Sequence, residues 1–220
     1  MNATAPSTNA PTTSHTSSKA TAFWDKIAEK YAAQPIRNPD AYERTLERLR
    51  HYFKPSHRVL ELGCGTGATA LKLADAVERY EASDFSPAMI DIAQARDGAT
   101  NIKNLSFIVA DPFDPRFKEG AYDVVFASSF LHLVEDVDET LARIHTLLKP
   151  GGLFIGKTMC LSKSVVFRVA IPLLQLVGKA PKVHFLAVAD HDAAVRKAGF
   201  EILETGMYPA PNRFVVGHKS

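Results

Sequence analysis

The sequence predicts one α/β domain: a doubly wound, mostly parallel seven-stranded sheet ending in a C-terminal antiparallel hairpin, with helices on both faces. Three observations predict it. Five strand-like runs alternate with helical patterns between residues 58 and 157, the first run opens into a glycine-rich loop, and the chain then closes with one helix and two strands.

The elements follow in order. Residues 1–20, MNATAPSTNAPTTSHTSSKA, are almost wholly Ser, Thr, Ala, Asn and Pro. They are expected to form a disordered tail, because that composition cannot build a core. They lack the apolar run of a signal peptide and the arginines of a transit peptide. The domain proper is expected over 21–220. Phe23, Trp24, Ile27 and Tyr31 fall at helical spacing, and Tyr42, Leu46 and Leu49 mark a second helix from Asp40 to Phe53. These two form an N-terminal helical cap over 21–54.

Strands are then read at Arg58 to Leu62, Arg79 to Ser83, Leu105 to Val109, Tyr122 to Ala127 and Gly152 to Lys157, with helices opening near Ala68, Pro87, Pro112 and Asp136. After an apolar insertion at 161–180 come a helix from Asp190 to Ala198 and strands at Phe200 to Gly206 and Arg213 to Lys219, joined by a short Pro-containing link.

Bulk properties narrow the function classes. A net charge of +2 on 220 residues, with no Lys/Arg block, makes nucleic acid an unfavoured partner. Two cysteines, Cys64 and Cys160, form neither a disulfide framework nor a metal set, so a cytoplasmic location is expected.

In a doubly wound sheet the ligand sits outside the carboxyl ends of the strands, so the loops there should carry the chemistry. Val59-Leu-Glu-Leu-Gly-Cys-Gly-Thr-Gly67 is the first such loop. Alternating glycines let a backbone approach a ligand that any Cβ would block. Gly63, Gly65 and Ala68 also satisfy the dinucleotide pattern, so a nicotinamide oxidoreductase remains open. Against it stands Glu61, a carboxylate at the strand end, poorly placed for a pyrophosphate and well placed for a ligand carrying positive charge. The second strand ends in Asp84, suited to both hydroxyls of a ribose. The third ends in Asp111-Pro112-Phe113, an acid for an adenine amino group beside apolar surface for the ring.

Glu61 to Gly67, Asp-Phe-Ser-Pro-Ala-Met from Asp84 to Met89, Ala110 to Phe113, Tyr122 to Ala127 and Leu147-Leu-Lys-Pro-Gly-Gly-Leu-Phe154 together resemble the successive motifs of the class I S-adenosylmethionine-dependent methyltransferases. The flanking segments are similar to that family's small-molecule branch. The resemblance implies a methyl transfer from S-adenosylmethionine to a small acceptor, with S-adenosylhomocysteine as product. It sets Gly63, Cys64 and Gly65 at the methionyl end of the cofactor and Glu61 at its positive side. Asp84 would take the ribose, Phe85 and Met89 the adenine, Asp111, Pro112 and Phe113 the adenine edge. Ser128 would stand between methionyl group and acceptor, and Tyr31, with Trp24, on a helix that closes over the cofactor.

A general base is needed only if the nucleophile arrives protonated. His132 is the candidate catalytic residue, its alternative being a structural histidine at a helix start; His184 and His191 rank below it, His191 being read as a first-turn residue after a cap at Asp190. Ala127-Ser-Ser-Phe130 replaces the Pro-Pro-aromatic clamp of amino-methylating nucleic-acid enzymes, so a small, apolar molecule is the expected acceptor, with no metal. A non-catalytic cofactor-binding protein also stays open. The insertion Leu161 to Lys179 is apolar nearly all round. It is expected to be a lid whose Val166, Phe167, Ile171 and Leu174 line the acceptor pocket; a dimer contact and a membrane-surface contact are its alternatives, and the oligomer is a monomer or a homodimer.

Overall fold

The computed structural model describes residues 17–162, 164–176, 178 and 180–220. Most of the expected tail, 1–16, lies outside them. Its end does not follow expectation: Ser17 caps a helix, its hydroxyl accepting from the Ala20 amide, and α1 runs Ser18–Ala32. Helix α2, Pro39–Tyr52, is capped by Asn38, with Pro39 in its first turn.

Seven strands follow: β1 Arg58–Leu62, β2 Arg79–Asp84, β3 Leu105–Val109, β4 Tyr122–Ser128, β5 Leu148–Met159, β6 Phe200–Met207 and β7 Asn212–Lys219. They order as β3-β2-β1-β4-β5-β7-β6. The first five run parallel, and β7 inserts antiparallel between β5 and β6. Chain order reverses between β1 and β4, so the ligand crevice of this topology opens outside the carboxyl ends of those two strands.

Helices α3 Ala68–Leu73, α4 Pro87–Ala95, α5 Val137–Leu147, α6 Val165–Leu176 and α7 Val188–Lys197 complete the fold. Period-2 alternation divides the core. Val59, Val124, Phe126 and Ile155 pack on α2 and α3, whereas Leu60, Val125, Ala127 and Phe154 pack on α5 and α7. Both faces are thus covered, which is why these strands read as continuous apolar runs.

Two expectations are corrected. Where a helix was read near Pro112, β3 and β4 are joined by turns: Asp111 Oδ1 accepts from the Phe113 amide and Asp114 Oδ1 from the Arg116 amide, both at 2.9 Å. Two Asp-Pro steps in five residues favour such side-chain-to-backbone turns over a helix. Helix α7 starts at Val188 with Ala187 in the cap position, so Asp190 is a first-turn residue and not the cap.

The insertion forms α6, with no buried residue. Ordinary core is therefore not its role. Of the four expected pocket-lining residues, Ile171 is half-buried, while Val166, Phe167 and Leu174 are exposed, Val166 at 73%.

Candidate functional site

The three glycines of the β1–α3 loop all adopt positive φ, at 70°, 54° and 75° for Gly63, Gly65 and Gly67, and they are bare for different reasons. A Cβ on Gly67 would lie 2.7 Å from the Phe107 ring and 2.9 Å from the Ala93 Cβ, so this glycine lets α3 and α4 pack close. On Gly63 it would lie 2.6 Å from the Phe130 ring, which covers that residue from the β4 side. On Gly65 it would meet only the Tyr31 ring, at 3.7 Å. Gly65 is the glycine that keeps backbone open beneath a neighbouring aromatic.

Asp84 ends β2 and is joined to this loop. Its Oδ2 accepts from the Gly65 amide and its Oδ1 from the Ser86 amide, each at 2.9 Å. The carboxylate is buried, and burial pushes its pKa up against the pull of those amides. Glu61, one strand away, is buried too. Tyr80 donates to its Oε2 at 2.8 Å, yet desolvation, with the charge of Asp84 adding, lifts its pKa to about 7. The same two carboxylates, after burial, hold the Cys64 thiol well above its ordinary value. A pair of carboxylates this poor in cationic partners suits a ligand that brings positive charge and hydroxyl donors.

Helix α1 lies along α4 and brings Tyr31 over Gly65. Burial, then the charge of Asp84, raises the Tyr31 phenol. Trp24 meets Tyr31 edge to face at 6.2 Å, so it supports the tyrosine from behind. Met89, on α4, is almost wholly buried, while Phe85 is half-exposed beside Asp84. Asp111 and Phe113 are half-buried in the β3 turn, with Pro112 buried between them.

Beyond β4, Ser128 is half-buried and Ser129 carries φ 54°, the one non-glycine positive φ among the described residues. Strain of that kind gathers at functional edges. His132 is 6% exposed and its Nδ1 has no hydrogen-bond partner among the described residues. Burial, then nearby His184, depresses its pKa to about 4, so it is neutral at pH 7. The His184 amide donates to the His132 carbonyl at 2.8 Å, and its ring Nε2 lies 2.8 Å from the Val134 carbonyl, so His184 holds the loop rather than a ligand. His191 is fully buried and bonded to Asp192, which also pairs with Arg213; its place is under β7. No cluster of His, Cys, Asp or Glu poised for a metal occurs among the described residues.

Sequence reasoning missed Asp25. Asp25 Oδ1 accepts from the Ser86 hydroxyl at 2.5 Å. Its partner lies 61 positions away, so no local pattern marks it.

Known proteins share this fold. Residues 59–152 match the methyltransferase domain family. The chain is 36% identical over 114 residues to the highly reducing polyketide synthase easB of Emericella nidulans, covering 47% of this chain and 4% of that one. It is 32% identical over 115 residues to methyltransferase calH of Penicillium decumbens, covering 47% and 31%. The chain therefore spans a small part of these curated relatives' length. The crystal structure of the trans-methyltransferase CalH in complex with SAH superposes with a TM-score of 0.60 at 27% identity, over 76% of this chain and 52% of that one. The [4+2]-cyclase SpnF shares the fold, with a TM-score of 0.65 at 16% identity over 85% and 84%. Residues 59–152 thus carry the match to the methyltransferase domain family, within a chain built on the class I Rossmann-like fold.

Proposed function

We propose that the domain transfers a methyl group from S-adenosylmethionine to a small, apolar acceptor in the cytoplasm, releasing S-adenosylhomocysteine. The observation that carries this reading is the coupling of Asp84 to the Gly65 amide. It joins the carboxylate suited to a ribose to the glycine that leaves backbone open for the attached chain. The residues fit the cofactor: Asp84 to the ribose hydroxyls, the Asp111 turn to the adenine edge, Gly65 and Tyr31 about the methionyl chain, Glu61 to its positive charge. Two buried carboxylates would repel the pyrophosphate of a nicotinamide cofactor.

When bound there, S-adenosylmethionine supplies a methyl on a positively charged sulfur that leaves as a neutral thioether. The chain's task is then to hold acceptor and methyl about 3–3.5 Å apart and in line. His132 is neutral at working pH and its Nδ1 is unpartnered, so it can take a proton from a hydroxyl or thiol acceptor. The apolar surroundings after β4, Phe130 and Leu131, favour an apolar acceptor over a charged one. The two free cysteines support a reducing location.

Asp84→Ala tests the reading. It should weaken S-adenosylhomocysteine binding about ten- to a hundredfold by calorimetry, since hydrogen bonds to a charged group contribute about 1.5–3 kcal/mol. An unchanged dissociation constant, or stabilisation of the wild type by NAD but not by S-adenosylhomocysteine, overturns it. Release of S-adenosylhomocysteine across thiol, hydroxyl, amine and quinol acceptors then identifies the acceptor class.

A further inference from the structure

Helix α6 is built the wrong way round for a lone folded domain. Val165, Val166, Val169, Leu173 and Leu176 are 73, 73, 59, 59 and 83% exposed. At 100° per residue these five fall on one side of the helix, while Phe167 and Leu174, 46 and 42% exposed, fall on the other with the half-buried Ala170, Ile171 and Gln175. The outward face is thus aliphatic, and exposed apolar surface of this continuity marks a docking site.

The charges around it indicate the partner. Residues 161–189 include Lys163, Arg168, Lys179 and Lys182 and contain no aspartate or glutamate, in a chain whose net charge is only +2. Arg168 is exposed on α6 itself, and Lys182 is exposed just beyond it. A two-fold contact between copies through this face would set cations against cations. A surface that offers hydrocarbon below and negative charge above meets both features at once. At twelve residues α6 is about 18 Å long, too short for a hydrocarbon core of about 30 Å, so it can lie on such a surface but not span it. No helix among the described residues is long and apolar enough to cross a membrane.

We propose that α6 seats the chain on an anionic lipid surface, its aliphatic face at the headgroup–acyl boundary and the exposed Arg168 and Lys182 among the phosphates. The two ends of the segment bearing α6 are tied to each other, the Ser162 amide donating to the Leu186 carbonyl at 3.3 Å, and its far end is tied to the site, the His184 amide donating to the His132 carbonyl. The docking itself does not depend on which atom is methylated, nor on methyl transfer at all.

The test is sedimentation of the full chain with vesicles of phosphatidylcholine alone and of phosphatidylcholine mixed with phosphatidylglycerol, at low and at high salt. The comparison variant is Val169→Asp with Leu173→Asp, both side chains being exposed, and melting temperature and S-adenosylhomocysteine affinity are measured alongside. We expect the wild type to bind the anionic vesicles, more weakly in high salt, and the double variant to partition at least about tenfold less with melting temperature and cofactor affinity unchanged. A wild type that stays in solution with both vesicle types overturns the proposal, whether it is monomeric or forms a dimer that the double variant dissolves. So does vesicle binding that the double variant retains. Failure of the methyltransferase reading would appear separately, as loss of cofactor binding without any change in sedimentation.

Discussion

Asp25 of the first helix caps the fourth: its Oδ1 accepts the Ser86 hydroxyl at 2.5 Å and the Ala88 amide at 3.3 Å, while the Ser86 hydroxyl accepts from the Met89 amide. One carboxylate thus satisfies helix N-terminal donors and fastens α1, with its Tyr31, across the Asp84 loop. Asp25→Ala should cost about 1–2 kcal/mol of stability, the range of a lost cap, and weaken S-adenosylhomocysteine binding severalfold through a displaced Tyr31. Thermal melting and calorimetry check it together. A stability loss with unaltered affinity would mean that α1 does not help hold the cofactor.

The three glycines should separate under alanine substitution. Gly67→Ala sets a Cβ against Phe107 and Ala93 at positive φ, so it should destabilise the fold by roughly 2–4 kcal/mol. Gly65→Ala meets open space apart from Tyr31 and bears backbone strain of about 1 kcal/mol, so its larger effect should be on cofactor affinity. Denaturant melts and binding isotherms on the two variants should rank them in opposite order.

Glu61 should make stability and binding depend on pH in opposite senses. Its folded pKa of about 7 lies above its ordinary value of 4.5, so between those values the folded chain holds the proton more tightly than the unfolded one. Its contribution to stability is present at low pH and is lost as pH rises through about 7. A positively charged ligand prefers the ionised carboxylate, so affinity for S-adenosylmethionine should climb over the same rise and binding should release a proton. Glu61→Gln should flatten both trends, read by melts and by calorimetry in buffers of different ionisation enthalpy.

His132 should behave as a neutral base across the physiological range. Its pKa, held down to about 4, lies below the ordinary 6.5, so the unfolded chain takes up the proton first and stability falls as pH drops from 6.5 towards 4. With an acceptor that must lose a proton, His132→Asn should lower turnover by about 10²–10⁴ while leaving cofactor affinity intact. At saturating S-adenosylmethionine the wild-type kcat should stay flat through pH 6–8; a kcat limb titrating near 6.5 would remove His132 as the base.

The architecture was legible because it rests on local periodicity. Alternation of apolar residues, the glycine run after Leu62, and carboxylates at the ends of β1 and β2 are all contiguous in the chain, and each strand lies within a few residues of its expected place. The helix expected at Pro112 failed for a reason equally local, since Asp111 and Asp114 hydrogen-bond their own backbone and compete with helix formation.

What only the tertiary structure decided depends on contacts between distant segments. The sequence ranked His132 above His184 and His191 but showed no partner for any of them. Packing separated them, giving His184 a carbonyl and burying His191 against the Asp192 carboxylate under β7 with its Nε2 unpartnered, while the Nδ1 of His132 has no partner among the described residues beside the loop after β4. The motif treated Gly63, Gly65 and Gly67 alike, but Phe130, Tyr31 and Phe107 gave each a different neighbour. The apolar pattern of α6 was plain in the sequence, whereas its outward face was not, because a hydrophobic run reads the same whether folding covers it or leaves it for a surface outside the chain.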